Sequence, residues 1–303
     1  LLLRASMTST RIKIAYASIG VSVVVLAIKY AAFWVSGSDA LLSDAIETIL
    51  NVIAAFGTLW ALSIAALPAD DNHPYGHGKA EYLSAVIEGV LVVLTALGIL
   101  VVAVHDWMHP TPVHAPFQGV ALNALAGVVN LVWARILIGF GRKNSSQALL
   151  AAGEHVQSDV WATVALVIGV SLIPVIKWDR LDAVLSALVA LNVLRAGFSM
   201  MSLSMSGLMD EIPGTEAVET VKAVISSSGT GALEAHDLRL RKVGPLHFVE
   251  FHLVVPSEMS VHDAHEICDC IEAGLRKELG RASIHIHVEP ADKAKHSGVL
   301  VLS

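Results

Sequence analysis

The chain has 303 residues, of which 54% are hydrophobic and only 16% charged, and its mean hydropathy is +0.65. Soluble domains carry about a quarter charged residues, so an ordinary water-soluble enzyme is excluded and most of the chain belongs in lipid. The formal net charge of −7 offers no general attraction to nucleic acid, two cysteines exclude a disulfide framework, and 14 histidines are a rich supply of imidazole.

A helix needs about 20 apolar residues to cross a bilayer. Six runs approach or exceed that length, at 14–36, 40–66, 82–106, 117–141, 149–176 and 181–207. They predict an all-α six-helix transmembrane bundle over 14–209, preceded by an N-terminal cytoplasmic segment, 1–13. Arg4, Arg11, Lys13, Lys79, Arg142 and Lys143 flank one face, against Lys177 and Arg180 on the other. The positive-inside rule then puts both termini in the cytoplasm.

Beyond Asp210 the composition changes. Residues 213–228 read as an amphipathic helix, 233–242 and 246–255 as strands joined at Gly244-Pro245, 261–279 as a helix and 283–289 as a last strand. The expectation is a small cytoplasmic α+β domain over 210–290, ferredoxin-like in α-β-β-α-β order, followed by a tail, 291–303. A core of that size is marginal alone, so dimerisation or bound metal would support it.

Two of the membrane segments carry polar stripes. In LLSDAIETILNVIAAFG, Asp44, Glu47 and Asn51 are spaced i, i+3, i+7 and share one helix face; in AAGEHVQSDVWATVALVIG, His155 and Asp159 stand at i, i+4. A charge at the bilayer centre costs roughly 2.5 to 3.5 kcal/mol on insertion scales, so such stripes face the bundle interior and serve ion pathways. If the two faces meet, Glu47, Asn51, His155 and Asp159 form a four-ligand cage for a divalent cation, and its two carboxylates would neutralise the ion. Asp44, one turn before Glu47, is an alternative ligand. Lys29, Glu88, Asn130 and Arg195 stand alone in their segments and read as structural or snorkelling residues.

The stretches LLSDA, PADDNHPYGHGKAEY, EHVQSD, LMDE, AHDLRLR, FHLVV, AHEICD and IHIHVEP together resemble the cation diffusion facilitator family, over residues 12 to 290. The resemblance implies three groups of cation ligands. Glu47, Asn51, His155 and Asp159 take the intramembrane transport positions. Asp70, His73 and His77 form a second site in the loop between helices two and three, where Pro74 and Gly76 supply the turn. His236, His252, His265, His287 and Glu289 occupy the cytoplasmic binuclear positions, while His247, His262 and His285 match nothing there and are expected in solvent. Lys79 is similar to the family lysine that pairs with an aspartate after helix six, here Asp210. The tail domain is then a metal-binding regulatory and dimerisation domain, and the protein a homodimer, multi-pass, in a bacterial inner membrane.

One departure bears on selectivity. The family pattern has aspartate or histidine with aspartate in helix two, where this chain has Glu47 and Asn51. The donor set suits zinc, the family's commonest substrate, and also iron, manganese, cobalt or nickel, because affinity order alone does not choose among them. Cation binding needs neutral His155 and ionised carboxylates, so cation and protons compete, which is a physical basis for cation/proton antiport. Two rival classes fit the residues less well. A membrane metallopeptidase wants HExxH, but His265-Glu266 is followed by no second histidine at that spacing. A metal sensor or scaffold that binds cations without moving them would have no need of a polar site in lipid. The chain is therefore expected to be a secondary transporter and not an enzyme. Cys268 and Cys270 point about 200° apart on their helix and cannot chelate one ion together.

Overall fold

The computed structural model describes residues 2–36, 39–109, 117–176, 180–295 and 300–301. It divides into two compact units, Leu1–Met205 and Ser206–Ser303.

The first unit is built from six long helices: α1 (Leu2–Ser36), α2 (Asp39–Ala65), α3 (Ala80–Met108), α4 (Phe117–Asn144), α5 (Gln147–Ile176) and α6 (Leu181–Leu208). α1 packs on α2 and α4, α4 on α5, and α3 on α2 and α5. Small residues let the backbones approach: a Cβ added at Gly153 of α5 would stand 2.7 Å from Ile138 of α4, and one at Gly141 would stand 2.9 Å from the Leu150 amide nitrogen. The interior is alanine-rich, around Ala15, Ala134, Ala148 and Leu149. Large apolar groups such as Trp34 (77% exposed) and Val101 (70%) cover the outside, as a lipid solvent requires.

Among the described residues, four stretches are long and apolar enough to cross a membrane by themselves: Thr10–Val35, Ala80–Met108, Gln118–Asn144 and Ser186–Leu208, with a shorter apolar stretch at Asn51–Ala65. The expectation of six such spans is met only in part. The helix expected from residue 14 begins at Leu2 instead, so most of segment 1–13 is the first turns of α1. Arg11 there is buried against Glu81 of α3 at 2.9 Å, and Ser146 donates to the other Glu81 oxygen at 2.5 Å.

In the second unit α7 (Thr215–Ser228), β1 (Glu234–Val243), β2 (Leu246–Val255), α8 (Val261–Leu279) and β3 (Ala282–Pro290) follow in the expected order. A fourth strand, β4 (Leu300–Val301), lies within the expected tail and pairs with β1. The sheet order is β3-β2-β1-β4, with β1 antiparallel and β3 parallel to β2. Gly244, at φ 57, makes the β1–β2 turn, and α8 is the crossover that the parallel pair needs. Ser260 caps α8 by accepting from the Asp263 amide at 3.1 Å. One sheet face is packed by the helices through Val249, Phe251, Leu253, Val221, Ile271 and Leu275. Strand alternation turns Glu250 and His252 to the other face. Cys268 is buried in this core and Cys270 is exposed.

Candidate metal centres

In the membrane unit, Asn51 of α2 and His155 and Asp159 of α5 are all buried. The Asn51 amide Nδ2 donates to Asp159 Oδ2. Asn51 Oδ1 and His155 Nδ1 are buried without a hydrogen-bond partner, and both residues line one small cavity with Ser18 and Ser22 of α1. Two unsatisfied polar atoms on one cavity are costly unless something fills it, and an acceptor oxygen beside an imidazole nitrogen suits a divalent cation. Glu47 lies on α2, but its side chain is outside the described residues. Asp44, the alternative ligand, has its Oδ1 2.8 Å from Lys29 Nζ. Lys29, expected as a structural or snorkelling residue, takes the structural role: it is only 1% exposed, because a carboxylate partner in the bundle offsets burial of its charge.

The loop between α2 and α3 brings Asp70, His73 and His77 together, with one ligand atom of each within 4.8 Å of the others. Asp70 Oδ1 stands 3.1 Å from His73 Nδ1 and its Oδ2 3.4 Å from His77 Nε2. The Asp70 carboxylate accepts from the amides of Asn72 (3.0 Å) and His73 (2.6 Å). The His73 amide is the main reason that its pKa lies below the usual aspartate value. His77 Nδ1 lies 3.1 Å from the Pro68 carbonyl. A proton on that nitrogen leaves Nε2 free as a ligand, the arrangement usual for metal-binding histidines. Gly76, at φ 84, provides the turn.

The third group lies across the open face of the sheet. His236, His252 and His287 are register partners on β1, β2 and β3, with ring centroids 5.2 Å and 4.9 Å apart. The Glu289 carboxylate faces all three, 3.3 Å from His236 Nε2, 3.0 Å from His252 Nδ1 and 3.6 Å from His287 Nε2. His265, grouped with them by resemblance, stands apart. It lies on the exposed side of α8, 3.8 Å from Asp269, and α8 packs on the opposite sheet face. His262 and His285 are exposed as expected, whereas His247 is half-buried and burial holds its pKa down.

Two further residues belong to this third group. Asp237 offers a ligand atom within 4.8 Å of those of His236 and His252. Strict alternation would have sent it to the other face, but a bulge between His236 and Arg239 and a φ of 53 at Asp237 bring it round. Glu234, two residues before His236 and buried, holds the His236 Nδ1 at 3.0 Å; the i, i+2 spacing was a readable signal for it. Lys295 spans both acids, its amide donating to Glu234 at 2.7 Å and its Nζ to Asp237 at 2.7 and 2.6 Å. That ammonium is the main cause that keeps Asp237 below the usual aspartate pKa. Asp210, expected opposite Lys79, accepts within its own unit from Arg241 Nη1 at 3.1 Å.

Comparison with known proteins decides the family. The profile of the cation efflux transmembrane domain matches residues 15–209. The chain belongs to the cation efflux family. The cytoplasmic domain of cation efflux proteins matches residues 213–291. Among cation efflux relatives, the uncharacterised transporter sll1263 of Synechocystis sp. is 34% identical over 278 residues, 92% of this chain and 90% of that protein. The cation-efflux pump FieF of Salmonella paratyphi A is 28% identical over 285 residues, 94% of each chain. The solved metal-bound C-terminal domain of the CzcD transporter from Thermotoga maritima is 30% identical, with a TM-score of 0.25, covering 26% of this chain and 93% of that one.

Proposed function

We propose that the chain exports a divalent transition-metal cation from the cytoplasm in exchange for protons. It works as a homodimer in a bacterial inner membrane, crosses six times, and keeps both termini inside. The observation that carries this reading is the buried pair of unsatisfied atoms, Asn51 Oδ1 and His155 Nδ1, on one cavity of an apolar bundle, beside the Asp159 carboxylate. A scaffold gains nothing from such a site in lipid.

The chemistry follows from the donors. Asp159 and Glu47 supply the charge that offsets a dication, Asn51 Oδ1 supplies a neutral oxygen, and His155 supplies a nitrogen. Entry of a cation expels protons from these groups. Protons arriving from the opposite side weaken the site and release the ion. Alternating exposure of the cavity to the two sides, by rocking of the helices, turns this competition into antiport. Asp70, His73 and His77 hold a cation at the cytoplasmic mouth. His236, His252, His287 and Glu289 bind regulatory cations and favour the dimer. Zinc is the first candidate, on the family resemblance; iron, cobalt, nickel and manganese remain compatible with the mixed donors.

The test is uptake of zinc, iron, cobalt, nickel and manganese in turn into proteoliposomes under an imposed proton gradient, for wild type and Asp159→Ala. One metal that moves, drives proton flux and stops in the variant supports the reading. If no metal moves while the protein still binds several, it is a sensor.

A further inference from the structure

One buried carboxyl has no part in the scheme above. Glu88 of α3 is 2% exposed. Its Oε1 lies 2.5 Å from Thr58 Oγ1 of α2 and 3.5 Å from Ser84 Oγ on its own helix, and Oε2 has no hydrogen-bond partner. Among the described residues no cation forms an ion pair with it. Arg11 is engaged by Glu81 and Lys29 by Asp44, and Arg195 of α6 is exposed. The helices packed around α3 here present neutral groups, Ala151 of α5 and Met200 of α6, with Gly197 and Met201 of α6 against Gly89. Of the other titratable groups on these helices, Glu154 is exposed, His155 lines the Asn51 cavity and Asp159 is held by Asn51.

Hydrogen placement decides the charge state. Thr58 has one hydroxyl proton and two acceptors in reach, the Ala54 carbonyl at 3.2 Å and Glu88 Oε1 at 2.5 Å. If Glu88 were ionised, a full negative charge would sit in the bundle with the hydroxyls of Thr58 and Ser84 alone for company. If Glu88 is protonated, its O–H donates to Thr58 Oγ1 and Thr58 donates to Ala54. Each hydroxyl proton then has an acceptor and no charge is buried.

We infer that Glu88 is a second proton-binding site of the membrane unit, filled at neutral pH and separate from the cation cluster. Thr58 lies seven residues beyond Asn51 on the same face of α2, about 10 Å along the axis, toward the end that leads into the 66–79 loop. The site therefore stands on the loop side of the cation cluster. Resting on the antiport reading, its role is to pass protons to that side: Glu88 gives its proton to water from the loop face and regains one from within the bundle, with no other bond changed.

The test is infrared spectroscopy of the full chain in lipid, without added metal, comparing wild type with Glu88→Gln, Glu88→Asp and Thr58→Val. A protonated-carboxyl C=O band present at neutral pH, lost in Glu88→Gln and moved in Thr58→Val, is the expected result. Where Glu88→Gln fails to fold, the band shift in the other two variants is read instead. In proteoliposomes, with zinc as the probe, Glu88→Gln shifts the pH of half-maximal zinc–proton exchange by about one unit, tenfold in proton affinity, with equilibrium zinc binding unchanged. Superimposable infrared spectra, or an unchanged pH profile, overturn the inference. A wild type that moves no zinc against protons refutes the preceding section, and the infrared comparison alone then decides Glu88.

Discussion

Glu234 offers a quantitative test of the sheet-face cluster. It touches no cation in the proposed arrangement; it holds the His236 Nδ1 at 3.0 Å, which leaves Nε2 directed toward Glu289. Loss of such an orienting carboxylate costs about 10–100-fold in metal affinity, or about 1.4–2.7 kcal/mol. The structure divides that range between two variants. Glu234→Gln keeps an oxygen for the Lys295 amide, now 2.7 Å away, and loses only the charge, so about tenfold is expected. Glu234→Ala also leaves the buried Nδ1 without a partner and the ring free to flip, so the loss is nearer to a hundredfold, on the order of the upper limit. The assay is zinc titration against a fluorescent chelator, on full-length protein in which Asp159→Ala and His77→Ala silence the other two clusters. If Glu234→Ala binds zinc as tightly as its parent while His236→Ala does not, His236 is not oriented by Glu234 and the reasoning fails.

Three more outcomes are expected. Lys29→Met strands the buried Asp44 charge and costs about 3–5 kcal/mol, read by thermal unfolding in detergent; adding Asp44→Asn should recover most of it. Phe251→Ala, in the centre of the tail core at 2% exposure, costs about 3–5 kcal/mol in denaturant unfolding of the second unit. Lys295→Ala removes the ammonium that holds Asp237 below its ordinary pKa. Because the folded-state value is depressed, that pair contributes stability above the unfolded-state value of about 4 and loses it as pH falls through the folded-state one. The melting-temperature gap between wild type and Lys295→Ala should be present at neutral pH and close in acid; a gap independent of pH would mean that the pair is not what Lys295 contributes.

Much of this architecture is legible in the sequence, because lipid and strand alternation impose simple periods. Apolar runs mark α2 to α6 to within a few residues and the end of α1, though not its start, and IHIHVEP announces a strand with His287 and Glu289 on one face. What escaped depends on tertiary context. Nothing in the order of residues shows that Lys29 reaches Asp44, fifteen positions on in another helix, so a buried ion pair reads as an isolated lysine. Asp237 is hidden by the bulge, since one unpaired residue reverses the alternation that the eye follows. β4 is two residues long and exists only because β1 offers a free edge. Glu47 remains a sequence-based assignment, and His265 shows that a histidine in a family motif need not stand beside the others within one chain.

The histidine row joins positions 236, 252 and 287, from three strands of which one arrives only after the α8 crossover. A slip of β2 by one residue would turn His252 into the core and Phe251 out to solvent, so the row is complete in one register only. A cation held by this row would bind the correctly threaded sheet and no misregistered one. At a hundred times its dissociation constant it would add about 2.7 kcal/mol to that state alone. Metal would then act as a proof-reader of folding as well as a signal, and in a metal-starved cell the second unit would open more often and reach proteases sooner. The lifetime of the exporter would rise and fall with the demand for it.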